Sequence, residues 1–204
     1  MTIMYQYENE LYENGINFIA GVDEVGRGPL NGPVVSACVV LPKGYHKDGI
    51  IDSKKLSEKK RNELFDIIKR DALGIGVGIV YADEIDELNI YEATKKSMKL
   101  AINNCNSKIE HVLIDAMKLD LDVASTSIIK GDAKSISIAA ASIIAKVTRD
   151  AMMYELDKKY PMYGYKNHKG YPTKKHIEAI NKYGLIEGYR KTYGPVKDYL
   201  EKNK

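Results

Sequence analysis

Short β-rich apolar runs alternate with longer stretches of helical periodicity along this chain, and that alternation leaves few architectures open. Residues 17–23 (NFIAGVD), 34–42 (VVSACVVLP), 75–82 (IGVGIVYA) and 111–117 (HVLIDAM) read as strands, and 125–132 (STSIIKGD) as a further one. Residues 57–73 carry Leu64, Phe65, Ile67 and Ile68 on one helical face, with Ser57 as the N-cap. Residues 83–105 read as one helix opened by Asp83, with acids in its first turn. A long helix spans 135–160, where Ile138, Ala141, Ala145, Thr148, Met152 and Leu156 mark a small apolar face. A shorter one covers about 173–183 and stops at Gly184. The implied class is α/β, a mixed β-sheet flanked by helices. With no repeat, low-complexity segment or linker in view, one domain is expected over 1–204. It comprises a core at about 17–160 and a basic helical C-terminal extension at about 161–204, too short to bury a core of its own.

Composition narrows the function. No apolar run is long enough to cross a bilayer, and the N-terminal MTIMYQYENELYENG is too polar and acidic for a signal peptide. Cys38 and Cys105 lack metal or redox spacing, so two reduced thiols in a cytoplasmic protein are expected. The net charge of +3 is unevenly placed: residues 159–204 hold 11 Lys/Arg against 4 Asp/Glu. Nine of the 15 tyrosines fall between Tyr154 and Tyr199. A basic, tyrosine-rich end beside an acidic body suits a polyanion-binding surface; it also suits a solvated face whose tyrosines pack locally.

The segment GVDEVGRGPLNGPVV (21–35) places two carboxylates, Asp23 and Glu24, at the end of an apolar run and beside a Gly-Arg-Gly turn. Glycines 26, 28 and 32 have the wrong spacing for a dinucleotide fingerprint, and a strand rather than a helix follows; no Gly-Lys-Ser/Thr completes a P-loop. A glycine turn still lets a ligand approach the backbone closely, and an arginine within it can contact phosphate. Asp115 ends another apolar run, and Asp132 follows SIIKG, just before the long helix. Strand ends are where ligands gather in open α/β sheets. Carboxylates crowded there raise one another's pKa values, and a hard divalent cation relieves the repulsion. An all-oxygen set suits Mg²⁺ or Mn²⁺. Zinc is disfavoured, because His46, His111, His168 and His176 are scattered. Asp52, Asp120, Asp122 and Asp150 remain available as further ligands or as plain surface charge.

GVDEVGRGPLNGPVV, LIDA, KGDAKSISIAAASIIAKVTRD and HKGYPTKKH, in this order, resemble ribonuclease HII over about residues 20–195. The resemblance implies a ribonuclease H-like core with a C-terminal helical extension. It implies hydrolysis of the RNA strand of RNA/DNA hybrids and incision 5′ of single ribonucleotides in duplex DNA, leaving 5′-phosphate and 3′-hydroxyl ends. It assigns catalysis and metal binding to Asp23, Glu24, Asp115 and Asp132, with two ions roughly 4 Å apart. It assigns 2′-hydroxyl sensing to Gly26, Arg27 and Gly28, and ribonucleotide reading to Tyr171. Lys169 of the basic end is expected to meet duplex phosphate, and a monomer is expected. No extra N-terminal domain of the kind ribonuclease HIII carries is expected, which favours HII. Two residues depart from the family pattern: Ala116 where glycine is usual, and Asn31 where alanine is usual. A resolvase of the same fold would ignore the 2′-hydroxyl. A silent nucleic-acid-binding module would lack one of the four acids, and a phosphatase would not need the basic aromatic end.

Overall fold

The computed structural model describes residues 3–203. Helix α1 (Gln6–Glu13) precedes strands β1 (Ile19–Val25) and β2 (Val34–Val40). There follow α2 (Glu58–Asp71), β3 (Gly74–Val80), α3 (Ala82–Leu88), α4 (Ile90–Asn103), β4 (His111–Asp115) and β5 (Ser125–Ile128). The long α5 (Ile136–Lys159), the single turn α6 (Tyr165–His168), α7 (Lys174–Tyr183) and α8 (Gly194–Lys202) complete the chain. The strands form one mixed sheet ordered β3-β2-β1-β4-β5. Its left half is antiparallel, while β1, β4 and β5 run parallel. Among the described residues, no helix is long and apolar enough to cross a membrane.

Most helix boundaries follow from local chemistry. Ser57 and Thr173 accept hydrogen bonds from the Lys60 and His176 amides, and Gly184 terminates α7. The expected single helix over 83–105 is instead two. Asn89 adopts a left-handed φ of 70°, and its side chain caps α4 by accepting from the Tyr91 and Glu92 amides. Asp83 therefore lies inside α3 rather than at its cap. The strand expected over 125–132 ends at Ile128, because Lys130 is left-handed and starts a 3-10 turn holding Asp132. The N-terminal stretch, featureless by composition, forms α1. From it the buried Glu8 accepts from Ser135 Oγ (2.6 Å) and the Ser137 amide (3.1 Å), at the start of α5.

The expected apolar stripe on α5 understates its burial. Every residue from Ile136 to Ala145 is buried, because the helix crosses the sheet centre with side chains on all sides. Its first turn lies directly on β1. A Cβ at Gly21 would stand 2.0 Å from the Ser137 carbonyl carbon, so only glycine permits this contact. Opposite, α4 packs on Ala20, Val22, Val112 and Ile114 through Met98 and Ala101.

The C-terminal extension does form an apolar cluster, but not on its own. Tyr163, Tyr165, Ile180, Tyr189 and Val196 close around Leu30 and Met153 from the body. Three of the tyrosines that suggested a binding face are thus interior. Gly21→Ala should cost at least about 3 kcal/mol, because backbone cannot yield as a side chain tip does. Gly194→Ala, with nothing within 4 Å of the added carbon, should stay within about 0.5 kcal/mol. Thermal unfolding of the two variants checks the contrast.

Candidate active site

Strand register builds the site. β1 and β4 pair in parallel up to Val22 and Ile114, so Asp23 and Asp115 are the next residues on adjacent strands. Both therefore leave the sheet at the same end, where the 3-10 turn carrying Asp132 leads into α5. Asp23, Glu24 and Asp115 offer carboxylate oxygens that all lie within 4.8 Å of one another. Asp132 stands outside that tight group but acts on it electrostatically.

Few donors offset this charge. Asp23 Oδ1 accepts from the Glu24 amide at 2.7 Å, and Asp115 Oδ1 from the Gly131 amide at 2.6 Å. Burial, reinforced by Glu24 and Asp115, pushes the Asp23 carboxyl well above its ordinary value. Burial likewise raises Glu24, Asp115 and Asp132; the Asp52 charge adds to the last. A centre of oxygen donors short of positive charge fits a hard divalent cation, Mg²⁺ or Mn²⁺ in character.

Two charged residues at this centre escaped the sequence reading as participants. Asp52 was one loose acid among several, and Lys54 attracted no notice in IIDSKKL. Burial opposes the charge on Lys54, yet Asp23, Asp52, Asp132 and Glu24 together raise its pKa. The available signal was an Asp-Ser-Lys run closing an apolar stretch at Ile50 and Ile51, and it carries no spacing rule.

Ala116, directly after Asp115, has a left-handed φ of 51°. Glycine adopts that geometry freely, whereas alanine accepts strain of roughly 1 kcal/mol. The backbone geometry thus gives a reason for glycine at this point of the family pattern. Asn31 is wholly buried; its Nδ2 donates to the Glu187 carbonyl at 3.3 Å, and its Oδ1 has no partner among the described residues.

The Gly26-Arg27-Gly28 turn stands beside the acids, with Gly26 at φ 93° and Arg27 Nη1 3.7 Å from Glu24. The turn and Tyr171 meet in space: a Cβ on Gly28 would lie 3.4 Å from Tyr171 Cε1. Tyr171, in the loop before α7, is 40% exposed, so it is not buried within the extension. Its carbonyl accepts from His176 Nδ1 at 2.9 Å, and His176 Nε2 accepts from the Tyr189 hydroxyl at 2.8 Å. That pattern needs a neutral His176, and burial pushes its pKa down to about 4. His168 stacks on it at 4.3 Å. Lys169, expected at phosphate, has its ammonium over the Tyr154 ring at 4.2 Å and bonded to the Lys166 carbonyl.

The family model for ribonuclease HII matches residues 20–193. A curated ribonuclease HII of Bacillus cytotoxicus is 59% identical over 201 residues, covering 98% of this chain and 77% of that protein. The crystal structure of ribonuclease H2 from Pyrococcus horikoshii matches with a TM-score of 0.79 at 29% identity, over 91% of this chain and 98% of the other. The fold is shared more distantly with a Bst ribonuclease HIII crystallised with Mn²⁺, at a TM-score of 0.67 and 20% identity, over 92% and 70% of the two chains.

Metal-free protein should show the crowding directly. The acids hold protons more tightly folded than unfolded, so stability falls as pH rises from the ordinary aspartate value of 3.8 through the raised folded values. Asp23→Asn removes one member. At pH 7 in chelator it should melt higher than the parent, by roughly 2–4 °C per kcal/mol of repulsion relieved. The difference should vanish below about pH 4. Calorimetry across pH checks both halves.

Proposed function

The chain belongs to the ribonuclease HII family, and from that premise we propose that Asp23, Glu24, Asp115 and Asp132 form its catalytic, metal-holding centre. As a member of that family the protein is an endoribonuclease. It hydrolyses the RNA strand of RNA/DNA hybrids and incises duplex DNA at embedded ribonucleotides. The observation that carries the site assignment is one juxtaposition. Three carboxylates within 4.8 Å lie one turn from a glycine loop that faces an exposed tyrosine ring.

Asp23, Glu24 and Asp115 would hold divalent metal, with Asp132 completing the set as substrate arrives. Mg²⁺ or Mn²⁺ fits the donor chemistry. Bound there, such an ion lowers the pKa of an attacking water and stabilises charge on the leaving oxygen. Gly26, Arg27 and Gly28 would meet the ribose on the 3′ side of the cut, while Tyr171 stacks on the neighbouring sugar. A 2′-hydroxyl both donates and accepts, and that difference separates ribose from deoxyribose. Lys54, held charged by the surrounding acids, brings a cation to the phosphate. Lys174 and Lys175, both exposed, are better placed than Lys169 to meet the backbone of a duplex, for affinity rather than sequence. Products with 5′-phosphate and 3′-hydroxyl ends, a monomeric cytoplasmic enzyme and a single catalytic unit over residues 1–204 complete the reading.

The decisive comparison is single-turnover incision of a duplex carrying one ribonucleotide against the same duplex in DNA alone. Cleavage should occur only in the first, stop in EDTA, and return with Mg²⁺ or Mn²⁺. Asp23→Asn and Asp115→Asn should each lose about a thousandfold or more, since metal charge contributes several kcal/mol. A fully active Asp115→Asn variant would remove the metal centre from consideration.

Tyr171→Ala should slow incision at the isolated ribonucleotide roughly tenfold, the scale of one lost stacking contact. Tyr171→Phe, which keeps the ring, should lose less. An alanine variant that cleaves at the parent rate and only melts lower would make the ring structural.

A further inference from the structure

Two arginines are buried without an anion. Arg149 on α5 and Arg190 before α8 are each 0% exposed. Neither joins a salt bridge among the described residues. Placing a guanidinium in the interior without a counter-ion is costly unless every donor is met. Here backbone carbonyls meet them. Arg190 Nη2 donates to the carbonyls of Gly26 (2.6 Å) and Gly32 (2.8 Å), and Nε to Gly32 (3.1 Å). Its Nη1 donates to the Arg27 carbonyl (2.8 Å) and the Tyr193 hydroxyl (2.9 Å). Arg149 donates to the carbonyls of Pro33 (2.9 Å), Asn31 (3.3 Å) and Lys169 (3.0 Å). The carbonyls these arginines draw inward thus belong almost entirely to the loop 26–33.

Peptide planarity turns this into a statement about the outer face. The chain has no cis peptide among the described residues, so each N–H points opposite to the carbonyl before it. With the Gly26 and Arg27 carbonyls aimed at Arg190, the amides of Arg27 and Gly28 point away from it. Neither amide has an acceptor among the described residues, and both residues are exposed. Two free donors therefore stand on the surface beside the Tyr171 ring. Arg149 ties that ring's loop to the same scaffold, since it grips Lys169 as well as Asn31 and Pro33.

We propose that Arg149 and Arg190 are positioning residues for ribonucleotide recognition. By drawing the loop carbonyls inward they hold the Arg27 and Gly28 amides outward, at a fixed offset from Tyr171, for the substrate's 2′-oxygen. The inference rests on the reading of the turn and Tyr171 as the sugar check. It adds what makes that check rigid. A lysine at 190 keeps the charge but cannot reach three carbonyls with a planar fork. Tyr193 offers a gentler probe: its hydroxyl donates to the Arg27 carbonyl at 2.6 Å and accepts from Arg190, so Tyr193→Phe removes one strut.

The test measures sensitivity to the 2′ group. Single-turnover incision is timed on duplexes carrying either one ribonucleotide or its 2′-fluoro counterpart, for the parent, Arg190→Lys and Tyr193→Phe. The parent should cut the ribonucleotide far faster. In Arg190→Lys, the maximal single-turnover rate on the ribonucleotide should fall about tenfold or more, with the half-saturating enzyme concentration nearly unchanged. The ratio between the two substrates should shrink by a similar factor, as coupled groups require. Tyr193→Phe should move the ratio the same way, by about threefold to fivefold. Calorimetric Mn²⁺ binding should match the parent in both. A merely structural arginine would lower the melting temperature and slow both substrates alike, leaving the ratio intact; that result in a folded variant overturns the proposal while the nuclease reading stands. A parent that cuts both substrates equally overturns the sugar-check reading and the proposal together. If Arg190→Lys fails to fold, the Tyr193→Phe ratio decides by the same criterion.

Discussion

The backbone contact between α5 and β1 is the constraint on which the site depends. With no side chain at Gly21, the first turn of α5 sits on the strand itself. That sets the 3-10 turn carrying Asp132 at the strand end where Asp23 and Asp115 emerge. Glu8 and Ser135 fix the first turn of α5 by accepting from the Ser137 and Ile138 amides. A bulkier contact would lift the helix and carry Asp132 away from its partners. The arrangement of acids is thus a packing result before it is a chemical one.

The two halves of the site solve opposite electrostatic problems. At the strand ends, negative charge is concentrated with few donors, which leaves a demand for a cation. Behind the glycine turn, positive charge is buried with no acid, and carbonyl dipoles satisfy it. The first half is completed by something from solution; the second is complete within the chain. One region is accordingly tuned by what it binds, and the other is rigid beforehand, as preorganised recognition requires.

Much of this was legible in the sequence because it rests on short-range rules. Apolar runs marked all five strands, Ser57 and Thr173 marked helix starts, and strand-end placement singled out Asp23 and Asp115. What stayed hidden depends on contacts distant in sequence. Nothing local in IEGYRKTYG shows that Arg190 will lie against Gly26, and a basic, tyrosine-rich end read as a binding face because burial is not local information. The split at Asn89 was hidden for another reason: a residue in the left-handed region looks, by periodicity, like one more helical position. Asp52 and Lys54 lie in a loop, where no periodicity points a side chain anywhere.

Chain order has a consequence for how the molecule comes into being. The acids span residues 23 to 132, so all four have left the ribosome well before Arg190. The Arg27 carbonyl waits for a donor 163 positions further along. At ordinary rates of synthesis that wait is roughly 10–30 s. During it the sheet and α5 can already pair, and Arg149 can hold the far end of the glycine loop, while the Gly26 and Arg27 carbonyls still lack Arg190. On the proposed roles of these residues, the nascent protein would acquire the means to cut before the means to choose, and the last tenth of the chain would close that interval.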